Sequence, residues 1–225
     1  MSNCQQCIIK QFNSMKVLTE EELSRISDCK TFISFKKGDV IFKEGDALNG
    51  VYCIRNGACK LSKLSANGKD QIVKLVVRGD MLGQRSVVSG ESANLSAIAL
   101  DDMDLCFIPK SEIVKNLHEN TNFSFEMLKL MALDLKLADD IIVDMAQKSV
   151  KQRLAETLIY LHDNFGEDKN SMLNVILSRE DFAGIVGTAT ESAIRVLSQF
   201  KKDKLISTIG KRIKIENLEE LKRVV

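Results

Sequence analysis

From residue 31 to about residue 109 the chain is cut at short, regular intervals by glycine. The β-prone runs VIF (40–42), VYCI (51–54), CKLSKL (59–64), QIVKLVV (71–77), LSAIAL (95–100) and LCFI (105–108) alternate with GD, EGD, NG, NGKD, RGD and SGES. Short strands at close spacing with glycine corners predict an antiparallel roll or barrel. RNG (55–57) and ANGK (66–69) read as hairpin turns, because Asn-Gly tolerates the positive φ that such turns require. Upstream, Thr19 and Glu22 in TEEELSRISD form a capping-box pattern for a short helix.

Beyond Pro109 the texture becomes helical. After SEIVKNLHEN, the residues Leu128, Met131, Leu135, Ala138, Ile142 and Met145 recur at spacings of 3, 4, 3, 4 and 3. That is an a/d seam held for about three heptads, which predicts a helix packed against its twin in a homodimer. Leu130, Leu133, Leu137 and Ile141 make a second apolar face, expected to lie on the roll. The competing reading is one buried helix with two apolar sides. A further amphipathic helix is predicted over 148–165, then a polar loop, GEDKNSM. Two short helix-like runs follow, SREDFAGIVG (178–187) and the stretch after it, and then two strands, KLIST and RIKIE, around the turn IGKR. Helices followed by a two-stranded wing predict a winged helix-turn-helix. The expected organisation is an α+β chain: a helix and β-roll sensor over residues 1–120, a dimerisation helix over 121–147, and a winged helix-turn-helix over 148–225.

Charge sharpens this division. Residues 147–225 carry 14 Lys/Arg against 11 Asp/Glu, and the first 146 carry 18 against 20, so a whole-chain charge of +1 hides a basic C-terminal part. Between 193 and 215, Arg195, Lys201, Lys202, Lys204, Lys211, Arg212 and Lys214 face only Asp203. Such a local basic surface suits phosphate. In GTATESAIRVLSQFKK (187–202), Ala193, Val196, Leu197 and Phe200 share the packing face. Thr190, Glu191, Ile194 and Arg195 point the other way, near the helix start, where a recognition helix enters the major groove. Arg195 can donate two parallel bonds to guanine, and Glu191 can accept from cytosine. Such a bidentate contact discriminates by about 1–3 kcal/mol. An exposed i,i+4 ion pair contributes only about 0.3–0.5 kcal/mol, so stability alone gives little reason for this pair. Thr188 through Glu191 also has capping-box spacing, which competes with base reading for Glu191. Ser178 and Asp181 cap the first helix of the pair, and Gly187 ends it.

These segments together, with KKGDVIFKEGD (36–46), VYCIRNGACK (51–60), VVRGDMLGQ (76–84), SVKQRLAETLIYL (149–161) and LISTIGKRIKI (205–215), resemble the CRP/FNR family of bacterial transcription regulators. The resemblance spans nearly the whole chain. It implies a cyclic-nucleotide-binding-like roll, a dimeric assembly and double-stranded DNA as the partner, with RNA polymerase as a further partner. It also implies that positions matching Glu191 and Arg195 read a TGA-type core, and that those matching Ser178, Arg179, Ser192 and Lys211 touch phosphate. Thr190 stands where cAMP-responsive members carry a base-reading arginine, so a TTGA-type palindrome is expected.

For the roll, the resemblance implies an effector pocket at Gly83, Gln84, Arg85, Asn94 and Leu95. The glutamate and Arg-Ser pair that clamp a cyclic phosphate in the family are replaced here by Gln84, Asn94 and Leu95. A cyclic phosphate would lose its charge-assisted bonds, so cAMP is not the expected effector. FNR-type members hold an iron–sulfur cluster on four thiolates. Cys4, Cys7 and Cys106 match three of those places, and Asn13 stands at the fourth. Cys29, Cys53 or Cys59 could complete the set. Direct thiol redox sensing and a small ligand are the alternatives.

Six cysteines without a secretion signal point to a reducing cytosol and thiols rather than a disulfide framework. No apolar stretch is long enough to span a membrane, and a cytoplasmic protein is expected. A cupin-like enzyme would need histidines inside the roll, and none occurs between 31 and 109.

Overall fold

A computed structural model describes residues 13–65 and 68–225. The chain forms two compact units, one of residues up to Lys63 with Val73–Leu137, the other of Leu64–Ile72 with Ala138–Val225.

The first unit opens with a 3-10 turn, Ser14–Val17, and helix α1, Glu20–Cys29. Thr19 caps α1 through the Glu22 amide, and the Glu22 carboxylate accepts from the Thr19 amide at 2.7 Å. The strands are β1 (Thr31–Phe35), β2 (Val40–Phe42), β3 (Gly50–Asn56), β4 (Cys59–Leu64), β5 (Asp70–Val76), β6 (Met81–Leu82), β7 (Ser96–Ala99) and β8 (Met103–Pro109). They form two four-stranded sheets, ordered β1-β8-β3-β6 and β2-β7-β4-β5. The described pairings are antiparallel. Alternation along each strand divides the interior into two layers. Ile54, Cys59, Val76, Ala97, Met103 and Leu105 fill the space between the sheets. Val51, Cys53, Cys106 and Ile108 face the opposite way, toward Leu23, Ile26, Ile113, Phe123 and Met127 on the helices. Those helices are α1, α3 (Lys110–Glu119) and α4 (Thr121–Gln147). A short α2, Gln84–Ser89, carries no periodic signal in the sequence.

One turn assignment changes. RNG is not a hairpin: β3 and β4 belong to different sheets, so Gly57 marks the corner where the chain crosses between them. Its φ is +83°, and a Cβ there would lie 2.6 Å from the Asp102 carbonyl oxygen. The Ala58 amide completes the corner by donating to Asp101 Oδ1 at 2.7 Å. Ala66 and Asn67 of the ANGK turn lie outside the described residues, as do Cys4 and Cys7.

Along α4, Phe123 and Met127 are the buried residues. The face of Leu130, Leu133, Leu137 and Ile141 does not lie on the roll as expected, since Leu133 and Leu137 are exposed. The roll is already covered there by α1 and α3, which meet β8 and β3. On the seam face Leu128, Leu135 and Ile142 are more than three-fifths exposed, Ala138 is exposed, and Met131 and Met145 are half-buried.

The second unit holds the end of α4 and helices α5 (Val150–Phe165), α6 (Arg179–Val186), α7 (Thr190–Lys202) and α8 (Leu218–Lys222). The hairpin β9 (Ile206–Ile209) and β10 (Arg212–Ile215) completes it. Leu154, Leu158, Leu161, Phe182, Val186, Leu197, Phe200, Ile213 and Leu221 are its buried centre. Ser149 and Gln152 form a capping box at the start of α5. The Arg153 guanidinium then donates to the Val186 carbonyl at 2.8 Å, and to the carbonyls of Asp144, Met145 and Lys148.

Candidate nucleic-acid interface

Helix α6 starts where the sequence indicates. Ser178 accepts from the Asp181 amide at 3.0 Å, and the Asp181 carboxylate accepts from the Ser178 amide at 2.9 Å. Phe182, Ala183, Gly184 and Val186 are buried, whereas Ile185, expected inside, is only half-buried. Gly187 ends the helix at φ +64°, a left-handed conformation that suits glycine. This break turns the chain into α7.

The second capping box does not form. The N-cap of α7 is Ala189, which offers no side-chain acceptor, so Glu191 is not spent on its own helix terminus. Ala193, Leu197 and Phe200 are buried and Val196 half-buried. On the opposite face Glu191 and Arg195 are exposed, Ile194 is 43% exposed and Thr190 is half-buried. Glu191 and Arg195 form no ion pair with each other. The two charged groups lie one turn apart, facing water.

The wing is anchored below this surface. Arg179, at the first turn of α6, donates to the Gly210 carbonyl in the turn between β9 and β10 at 3.4 Å. A second arginine nitrogen there, Nη1, is buried without a hydrogen-bond partner. Asp168 accepts from the Asn170 and Met172 amides at 2.8 and 3.0 Å and pairs with Arg212 on β10. The Met172 amide foremost, with the Asn170 amide and Arg212, holds the Asp168 carboxyl below the ordinary carboxylate range. The cationic stretch is therefore less free than its sequence suggests. Arg212 is matched by Asp168, and Lys214 by Glu216 at 3.0 Å. Lys202, Lys204 and Lys211 are exposed and have no ion-pair partner among the described residues. Ser192, on the first turn of α7, is half-buried. The phosphate candidates Ser178, Arg179, Ser192 and Lys211 thus come from the start of α6, the start of α7 and the wing turn. The Ser178 hydroxyl is already engaged with Asp181.

In the first unit the proposed effector residues flank α2. Gly83, at φ +82°, is the N-cap, and Gln84 is buried with no hydrogen-bond partner for its Oε1. Arg85 is exposed, and Asn94 and Leu95 are half-buried. Of the cysteine candidates, Cys106 is 7% exposed on β8, directly across from Cys53 on β3. Asn13 caps the first 3-10 turn and donates to the Gly79 carbonyl at 3.2 Å. Among the described residues no three Cys, His, Asp or Glu side chains converge as a metal site, and no helix is long and apolar enough to cross a membrane.

Residues 32–120 match the cyclic nucleotide-binding domain family, and residues 152–224 the Crp-like helix-turn-helix domain family. Over 222 residues the chain is 29% identical to the fumarate and nitrate reduction regulatory proteins of Salmonella typhimurium and Escherichia coli, covering 97% of this chain and 88% of each relative. Among solved structures, FixK2 from Bradyrhizobium japonicum superimposes with a TM-score of 0.77 at 24% identity, covering 87% of this chain and 96% of that one. A crp/fnr-family protein from Eubacterium rectale gives a TM-score of 0.78 at 20% identity, over 93% and 95% of the two chains. The homologues are regulators rather than enzymes. The chain belongs to the CRP/FNR family of DNA-binding transcription regulators.

Proposed function

We propose that the chain acts in the cytoplasm as a homodimer on an inverted-repeat operator of the TTGA type, alongside RNA polymerase. In this reading Arg195 and Glu191 read base edges, with Thr190 and Ile194 beside them. Arg179, Ser178, Ser192 and Lys211 hold phosphate. The observation that carries it is the exposed, mutually unpaired Glu191 and Arg195 on the outer face of α7. Two charges left in water one turn apart stabilise the fold little, yet offer a donor fork and an acceptor to a major groove. Lys202, Lys204 and Lys211 supply the salt-dependent attraction. A twofold dimer along α4 presents two such helices about one DNA turn apart, hence the inverted repeat. Signals reaching the roll act by shifting the population of the DNA-competent arrangement.

The test is an electrophoretic shift on a TTGA palindrome. Arg195→Ala is expected to lose about 1–3 kcal/mol per half-site, or about 5- to 150-fold for each, with the dimer intact by sedimentation. An unchanged shift would overturn base reading by Arg195.

For the effector, an iron–sulfur cluster on Cys4, Cys7 and Cys106 is the reading we favour over cAMP. Nothing at Gln84, Asn94 or Leu95 supplies a buried cation for a cyclic phosphate, and Arg85 lies in solvent. When bound, such a cluster supplies a redox centre whose potential follows its thiolates and their burial. Protein purified without oxygen should show thiolate-to-iron absorption with bound iron and sulfide. A colourless, iron-free preparation would overturn the cluster.

A further inference from the structure

Helix α6 carries a glycine in its interior, and the helix itself gives no reason for one. Gly184 is buried, and unlike Gly187 it needs no left-handed backbone. Glycine inside a helix weakens it relative to alanine. The reason lies in residues 70–72 at the start of β5, which belong to the same compact unit as α6. A Cβ on Gly184 would lie 2.7 Å from the Asp70 carbonyl oxygen, and 3.4 and 3.5 Å from two side-chain carbons of Ile72. The first distance is closer than a Cβ can stand, so only glycine lets this strand reach the helix. Ile72 is 3% exposed. Its neighbour serves the turn after α6: Gln71 Oε1 is 3.4 Å from where a Cβ on Gly187 would be. Gln71 Nε2 donates to the Ile72 carbonyl at 3.3 Å, which holds the amide along the strand.

Resting on the base-reading assignment, we propose that Asp70, Gln71 and Ile72 brace the helix-turn-helix, and that specific operator binding requires this brace to be seated on Gly184. Gly184, Gln71 and Ile72 are then positioning residues, acting through α6 and the turn at Gly187. That turn comes three residues before Thr190, where α7 begins, so it sets the direction in which α7 leaves. With the brace seated, Glu191 and Arg195 remain exposed, and the reading face is open.

The contact is intolerant because the atom facing Gly184 belongs to the main chain, and no change of rotamer makes room. Two effects of Gly184→Ala therefore oppose each other. Alanine strengthens α6 as a helix, whereas its Cβ displaces the Asp70 carbonyl and unseats the brace. A helix acting alone gains from the change. A braced helix loses its support and with it the aim of α7.

The full chain is compared as wild type, Gly184→Ala, Ile72→Ala and Ile72→Val. Deuterium exchange is followed in the peptides containing residues 70–72 and α7, and fluorescence anisotropy gives Kd for the TTGA palindrome and for an unrelated duplex. Gly184→Ala and Ile72→Ala are expected to exchange faster at 70–72 while α7 exchanges as in wild type. If about one-tenth of the chains remain seated, the operator Kd rises about tenfold. The unrelated duplex, held by lysine charge, should bind as before. Ile72→Val, which keeps most of the side chain, should recover most of what Ile72→Ala loses. Should Gly184→Ala fail to fold by circular dichroism, Ile72→Ala, which leaves α6 untouched, decides. Exchange at 70–72 unchanged in a folded variant would show that no brace sits on Gly184. Faster exchange with an unchanged operator Kd would show that the brace has no bearing on DNA, and either result overturns the inference alone. A wild type that binds both duplexes equally would sink the base-reading assignment, and the brace with it.

Discussion

Replacing Leu135 and Ile142 together by alanine is expected to separate the dimer while leaving the protomer folded. The two side chains stand seven residues apart on the seam of α4, 64% and 66% exposed in the single chain. Burying a leucine or isoleucine fully stabilises by about 1.5–3 kcal/mol, so covering the exposed two-thirds contributes about 1–2 kcal/mol per side chain. A twofold axis places each substitution in the interface twice. The pair of changes therefore removes about 4–8 kcal/mol from association, with the lower figure expected because alanine keeps one carbon. At about 1.4 kcal/mol per tenfold, the dimer dissociation constant rises roughly a thousandfold. Because these groups face water in the protomer, circular dichroism of the dissociated chain should keep its helical signal. Sedimentation equilibrium across a concentration series reads the constant. A variant that dimerises as tightly as wild type would refute the seam. One that loses helical structure would show that these residues hold the protomer itself together.

Other consequences are equally direct. The Asp168 carboxyl lies below its ordinary range in the folded chain, so its contribution is present above the unfolded value and is lost as pH falls through the folded one. Urea unfolding followed from neutral pH into acid should decline less steeply for Asp168→Asn than for wild type, and equal slopes would contradict this. With the Cys59 thiol pushed up to about 12, only about one part in ten thousand is thiolate at pH 8. Iodoacetamide should therefore leave Cys59 unmodified, by mass spectrometry, until the chain unfolds; native-state labelling would disprove this. Gly57→Ala must adopt φ near +83° and move the Asp102 carbonyl away from the new Cβ. The left-handed conformation alone costs about 1–2 kcal/mol, so Tm should fall by at least about 2–4 °C. An unchanged Tm would show that the corner relaxes freely.

The parts legible in the sequence were those fixed by neighbours along the chain. Ser178 with Asp181 and Thr19 with Glu22 cap helices through groups three residues apart, and the helix α4 follows from a local period. The illegible parts depend on distant partners. RNG has the composition of a hairpin, but β3 pairs with β8 and β6 and not with β4. Thr188 has capping spacing, but the chain leaves Gly187 in a turn that makes Ala189 the cap. Arg212 and Lys214 looked unopposed because Asp168 and Glu216 lie outside the window that was counted. The facing of Cys53 and Cys106 depends on a strand register between residues far apart in the chain, which no local pattern records.

Arg153 ties the last turn of α4, the joint before α5 and the end of α6 with one flat group. A lysine there would keep the charge but concentrate its hydrogens on a single rotating nitrogen. It could satisfy one corner of that junction and would let the others swing. The foot of the long helix, the joint and the end of α6 thus share one planar cation, and a change at Arg153 reaches all three at once.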